Sequence, residues 1–160
     1  MNIRVGFGFD VHPLKAGLDF WLGGIKINHY KGAIGHSDAD VLIHAICDSL
    51  LGAANLGDIG FHFPDTSQEY KNIDSKILLS KVMELLKKKN YKIGNIDTTV
   101  CLETPKINPY IPQIKTTLAG IMHIPEDCLS IKATTNEKMG YIGREEGISA
   151  YSVALIQKSE

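Results

Sequence analysis

Ile3, Val5, Phe7, Phe9 and Val11 alternate with Arg4, Gly6, Gly8, Asp10 and His12, and a period of two predicts a strand. One face of that strand is apolar. The other carries two glycines, then an aspartate and a histidine, and glycine there leaves room for a ligand or a second backbone to come close. Pro13 is expected to stop the strand. Residues 20–27 read as a hairpin turning at Gly23-Gly24. From Val41 onward the period changes. Val41, Leu42, Ile43, Ala45, Ile46, Leu50 and Leu51 make a helix that is apolar nearly all round, hence buried. Asp40, His44 and Asp48 recur every four residues and share one face of it. Ser37 or Asp38 is the expected cap, and the helix should end within 52–55. Residues 56–66 are too irregular for a strand or helix and too apolar for a linker, the character of a functional loop. A second helix, capped by Asp74 or Ser75, shows Leu78, Leu79, Val82, Leu85 and Leu86 as its apolar face. A strand over 96–102, a helix over 111–122 with Pro109 and Pro112 in or before its first turn, a strand over 129–134, a polar loop over 135–147 and a strand over 148–156 complete the pattern. This order predicts an α+β fold: a small mixed sheet with helices packed on one face, plus an N-terminal hairpin.

Composition narrows the class without changing that picture. The 160 residues suit one domain with a full core. A 44% hydrophobic and 22% charged chain is an ordinary globular one. A net charge of −1 argues against nucleic acid or an anionic membrane as the main partner. Lys87-Lys88-Lys89 reads as a match to the helix dipole. No apolar run is long enough to span a bilayer. Met1-Asn2-Ile3-Arg4-Val5-Gly6 holds neither a signal-peptide block nor an Arg/Ser-rich transit segment, which predicts a cytoplasmic protein; an organelle form freed of its transit peptide would read the same. Cys47, Cys101 and Cys128 are odd in number and lack CxxC spacing. They exclude a disulfide framework and are expected to be small core residues.

Three clusters could carry chemistry. On a strand Asp10 and His12 point to the same side, about 7 Å apart at their backbones. With His44 as a third ligand, two nitrogens and one carboxylate oxygen would leave a fourth position open, as in a catalytic zinc site. Asp48 is the expected holder of the other His44 ring nitrogen. The alternative reading is a set of hydrogen-bonded polar groups in the core. His36-Ser37, just ahead of a helix N-terminus, suits an anion or a plain cap. Lys132-Ala133-Thr134-Thr135-Asn136-Glu137-Lys138 brings hydroxyls, lysines and a carboxylate to a strand end. That is either a phosphate and Mg²⁺ site or a polar turn. No Walker A loop and no G-x-S-x-G occur.

G-F-G-F-D-V-H, H-S-D-A-D-V-L-I-H-A, L-G-A-A-N-L-G-D-I-G, H-F-P-D-T, K-A-T-T-N-E-K and G-R-E-E-G follow one another in that order. Together, from about residue 3 to the end, they closely resemble the 2-C-methyl-D-erythritol 2,4-cyclodiphosphate synthase family of the non-mevalonate isoprenoid pathway, in its stand-alone form. The resemblance implies a homotrimer with active sites between subunits. It implies cyclisation of 4-diphosphocytidyl-2-C-methyl-D-erythritol 2-phosphate, whose 2-phosphate attacks the β-phosphate and expels CMP. Carried over, Asp10, His12 and His44 would hold Zn²⁺, one per subunit, and Glu137 would hold Mg²⁺ or Mn²⁺ on the diphosphate. His36 and Thr135 would stabilise the transition state. Ser37, Ile59 and Asp65 would line the erythritol part and Asp58 the ribose, with Gly60, Phe63, Pro64, Thr66 and Ser67 also against substrate. The cytosine pocket would come from Leu102, Glu103, Thr104, Pro105, Lys106, Ile107 and Asn108, facing Ala133, Thr134, Thr135 and Asn136. Tyr141 and Arg144 match positions lining the trimer's central channel, where an isoprenoid diphosphate is a family ligand. Tyr141 stands where phenylalanine is common and Glu145 where glycine is frequent, and both changes count against that ligand. Two other readings remain open: a zinc phosphohydrolase using a metal-bound water, and a metal-stabilised scaffold or isoprenoid-binding module without turnover.

Overall fold

The computed structural model describes residues 2–64, 66, 68–70 and 72–159. Among these residues are seven strands and five α-helices. They are β1 (Ile3–Ala16), β2 (Phe20–Leu22), β3 (Ile25–Ile27), β4 (Lys31–Ala33), α1 (Val41–Ala53), α2 (Ile59–His62), α3 (Ser75–Lys88), β5 (Tyr91–Cys101), α4 (Ile111–Met122), β6 (Leu129–Thr134), α5 (Gly140–Gly143) and β7 (Gly147–Lys158). Five strands form one sheet in the order β4-β1-β7-β5-β6. β1 and β5 each pair antiparallel with β7, and β5 pairs parallel with β6. The sheet is therefore mixed, and the C-terminal ends of β1, β5 and β6 share one edge.

Pro13 does not stop β1. Pairing with β7 runs on to Pro13 opposite Gly147, and residues 14–16 then pair with β4. The missing N–H costs little because the Pro13 carbonyl accepts from Ile34 N–H and the next amide, Leu14, donates to Glu146 O. Inside β1 the glycine face meets a second backbone rather than a ligand. A Cβ on Gly6 would stand 1.9 Å from Ser49 O, and one on Gly8 1.9 Å from Ala45 O. Helix α1 thus lies directly on the strand. With β7 beneath it as well and α3 against its other flank, an almost wholly apolar helix is what the position needs.

Asp40, not Ser37 or Asp38, caps α1. Its buried carboxylate accepts from Ile43 N–H and also from Gly23 and Gly24 N–H, which ties the β2–β3 hairpin to the helix. Both turn glycines have positive φ, 61° and 79°, the pair a tight primed hairpin turn needs. Asp74 caps α3 as expected, and Leu78, Leu79, Val82 and Leu86 are buried from it. Two segments read as loops hold short helices, α2 and α5. Cys47 and Cys101 are core residues, but Cys128 is half-buried.

The helices α1, α3 and α4 cover one face of the sheet. On the other face the apolar side chains of β1 meet solvent. Val5 and Phe7 are 64% and 63% exposed, and Ile3, Phe9, Val11, Tyr151 and Val153 join them. Phe9 and Tyr151, paired across β1 and β7, pack their rings 5.1 Å apart.

Candidate active site

The glycine face of β1 continues into Asp10 and His12, which puts both under α1 where His44 descends to meet them. Asp10 Oδ2 lies 2.9 Å from His12 Nε2 and 2.9 Å from His44 Nδ1, and the two imidazole nitrogens are 3.3 Å apart. Each ring is fixed from behind. His12 Nδ1 donates to Ile34 O at 3.0 Å. His44 Nε2 donates to Ser75 Oγ at 2.9 Å, with Ser37 Oγ at 3.3 Å, and the Ser75 hydroxyl donates in turn to the Asp38 carboxylate. The outward N–H groups are thereby spent, and the inward atoms are a carboxylate oxygen and two imine nitrogens. Three lone-pair donors at such range repel unless a cation or a proton lies among them. The donor set and its orientation fit a divalent metal such as zinc. Among the described residues, these three form the group able to share an ion.

Electrostatics report the same demand. Burial pushes the Asp10 carboxyl up, but the hydrogen bonds and positive charge of His12 and His44 outweigh it and hold it at about 2. Burial pulls His44 down, yet the hydrogen bond and charge of Asp10, helped by Asp40 and Asp38, leave it raised. Asp48 is not the partner of His44: its carboxylate accepts from Ile59 N–H at 2.8 Å and so fixes the start of α2.

Around the trio opens a pocket of about 450 Å³. His36, Ser37, Ile59, Gly60, Phe63, Pro64 and Thr66 line it, as do Tyr70, Ile73 and Leu78, which sequence reasoning passed over. Leu78 read as ordinary core, and nothing in the local pattern marked Tyr70 or Ile73. In the sequence Ser75 reads only as a cap, and its spacing from His44 holds no signal. Asp58 stands outside this lining and caps α2 through Phe61 N–H. Asp65 and Ser67 lie outside the described residues.

A second pocket, about 200 Å³, opens at the ends of β5 and β6. Leu102, Glu103, Pro105, Lys106, Ile107, Asn108, Ala133, Thr134 and Thr135 line it, while Thr104 and Asn136 do not. Beyond it Glu137 is exposed, with Thr135 Oγ1 3.4 Å from its Oε1. Strand β7 separates β1 from β5, so the strands bearing the two pockets are two to three spacings apart, roughly 10–14 Å. Neither Glu137 nor Thr135 joins the Asp10 trio within the chain. Tyr141 and Arg144 stand apart from both pockets. The Arg144 guanidinium is taken by Glu146 at 3.1 and 3.0 Å. Glu145 turns away from Arg144, toward Tyr30 and Lys31.

The chain resembles known proteins in both sequence and fold. A family model described as the YgbB family matches residues 3–157. The chain belongs to that family. It is 65% identical over 158 residues to the 2-C-methyl-D-erythritol 2,4-cyclodiphosphate synthase of Parabacteroides distasonis, covering 99% of this chain and 98% of the relative. The synthase of the same name from Phocaeicola vulgatus is 62% identical over 160 residues, with full coverage of both. Among solved structures, the bifunctional IspDF of Campylobacter jejuni matches with a TM-score of 0.95 at 36% identity, over 99% of this chain and 43% of that one. A CDP complex of IspF from Plasmodium falciparum matches with a TM-score of 0.88 at 36% identity, over 99% and 98%. The name these relatives share is that of a lyase, and this chain is an enzyme of that family.

Proposed function

We propose that this protein cyclises 4-diphosphocytidyl-2-C-methyl-D-erythritol 2-phosphate to the 2,4-cyclodiphosphate and releases CMP, a step of isoprenoid biosynthesis. The observation that carries the reading is the convergence of Asp10 Oδ2, His12 Nε2 and His44 Nδ1 with every outward ring N–H already spent. Asp10, His12 and His44 would hold Zn²⁺, and Glu137 would hold Mg²⁺ or Mn²⁺. Such ions would supply positive charge against the phosphate oxygens. The attacking group is a phosphate already ionised, so the chain needs no serine or cysteine nucleophile. Its own contribution is alignment and charge complementarity. His36 and Thr135 would stabilise the transition state, and Ser37, at the lip of the larger pocket, would line the erythritol part. The walls of the smaller pocket, Thr135 included, would hold the nucleotide.

Both halves are needed on one substrate, and a homotrimer with sites between subunits would join the larger pocket of one chain to the smaller pocket of the next. The uncovered apolar face of β1 and β7 supports such an assembly, because apolar patches of that extent mark protein interfaces. Among the described residues no helix is long and apolar enough to cross a membrane, consistent with a cytoplasmic enzyme. An isoprenoid diphosphate in the central channel would have to displace Glu146 from Arg144 to gain that cation.

Product analysis after incubation with the CDP-linked substrate and Mg²⁺ tests the reading. The expected products are CMP and the cyclic diphosphate. Inorganic phosphate or a linear monophosphate would point to a zinc phosphohydrolase, and the absence of turnover to a binding scaffold.

A further inference from the structure

Glu103 follows the end of β5 by two residues, beside the smaller pocket, yet its carboxylate is not offered to a ligand there. The side chain is 3% exposed, and both oxygens are spent on a loop more than thirty residues further along the chain. Oε2 accepts from Asn136 N–H at 3.1 Å. Oε1 accepts from Lys138 N–H at 3.3 Å and lies 3.4 Å from Lys138 Nζ. The residue between those two amides is Glu137. Its φ is 51° and that of Lys138 is 63°, two successive left-handed conformations that side chains other than glycine disfavour. The sequence offers no glycine to relax them. A fixed anion bridging the two flanking amides is a physical reason for the backbone to hold this shape, since amides turned toward one point by left-handed residues form an anion-binding concavity.

We propose that Glu103 is a positioning residue. It acts as an internal anion that fixes the segment from Thr135 to Lys138, and through it the nucleotide pocket wall and the Glu137 side chain. This rests on the functional reading above, but it concerns how the nucleotide side of the site is held rather than what touches substrate.

The test is CDP binding by the intact zinc-loaded protein, measured by calorimetry without turnover, together with amide hydrogen exchange. In Glu103→Ala, CDP affinity is expected to fall roughly 10- to 100-fold, the scale seen when a supporting partner of a site is lost. Exchange at Asn136 and Lys138 should quicken, while zinc content stays at the wild-type level, because the Asp10 trio is carried by β1 and α1. Glu103→Gln keeps the shape and one acceptor oxygen but loses the charge and turns an NH2 toward the second backbone N–H, so its affinity should fall between wild type and Glu103→Ala. It also decides the matter if the alanine variant does not fold. Wild-type CDP affinity in either Glu103→Ala or Glu103→Gln would overturn the proposal. A wild-type protein that does not bind CDP at all would instead overturn the functional reading.

Discussion

At the scale of single residues, the site is governed by what lies behind its ligands. Asp10-x-His12 was legible because alternation on a strand puts both on one side, and His44 because a titratable group on an apolar helix needs partners. Ser75 and Asp38 were not legible as support for His44. They reach it through a hydroxyl relay that depends on how α3 docks, not on spacing. Ser75→Ala leaves the His44 N–H without its main acceptor, and metal affinity is expected to fall by roughly 10- to 100-fold, measured by chelator competition. Protonation gives a second prediction. Asp10 is held at about 2 against an ordinary 3.8, so its share of stability in metal-free protein is present above 3.8 and lost as pH falls toward 2. His44 is raised above 6.5, so its share is complete below pH 6.5 and lost as pH climbs through the raised value. Metal-free protein should therefore melt highest at roughly pH 4 to 6.5. Metal affinity should have the opposite slope on the alkaline side, rising with pH because His44 must release a proton to bind. Melting curves with and without chelator across pH 3 to 9 check both.

At the scale of elements, the hydrophobic pattern identified the main helices and most strands, but it did not say which face of β1 is inside. The usual assumption would bury Ile3, Val5 and Phe7. The chain buries Gly6 and Gly8 instead, because α1 can approach the sheet closely only over residues without a Cβ. Gly8→Ala would drive a methyl to within 1.9 Å of the Ala45 carbonyl. Backbone cannot yield there as a side chain can, so the cost is expected at the upper end of overpacking, about 3 kcal/mol or more, read as a fall in the urea midpoint. The same shift would lift His44 away from Asp10, so metal affinity should fall with stability. Pro13 was misleading for a related reason: its position needs an acceptor and not a donor, a fact set by β4 and β7 rather than by the strand itself.

At the scale of the whole molecule, two pockets lie at one end of a sheet that also exposes an apolar face. The proposed homotrimer would use both, joining the pockets as two half-sites and covering the face. A sequence pattern reports which residues are apolar, but whether they bury against the chain's own helices or a second copy is decided by topology. Placing a charge in the middle of that face, as in Phe7→Asp, should yield a folded monomer with normal far-ultraviolet dichroism, an intact metal trio and activity reduced at least 100-fold, since holding two half-sites together is what orientation contributes. Sedimentation and product assay on the same sample check it, and an active monomer would dismiss the shared site. The central claim is that the Asp10, His12 and His44 cluster binds the metal on which cyclisation depends. Its most direct test is to strip the enzyme with chelator, return zinc stepwise in the presence of Mg²⁺ and the CDP-linked substrate, and follow CMP and cyclic diphosphate by phosphorus NMR. The account predicts no product without zinc, recovery that saturates at one zinc per chain, and none in His44→Ala at any zinc concentration. Cyclic product formed at an undiminished rate by stripped enzyme or by His44→Ala would contradict it.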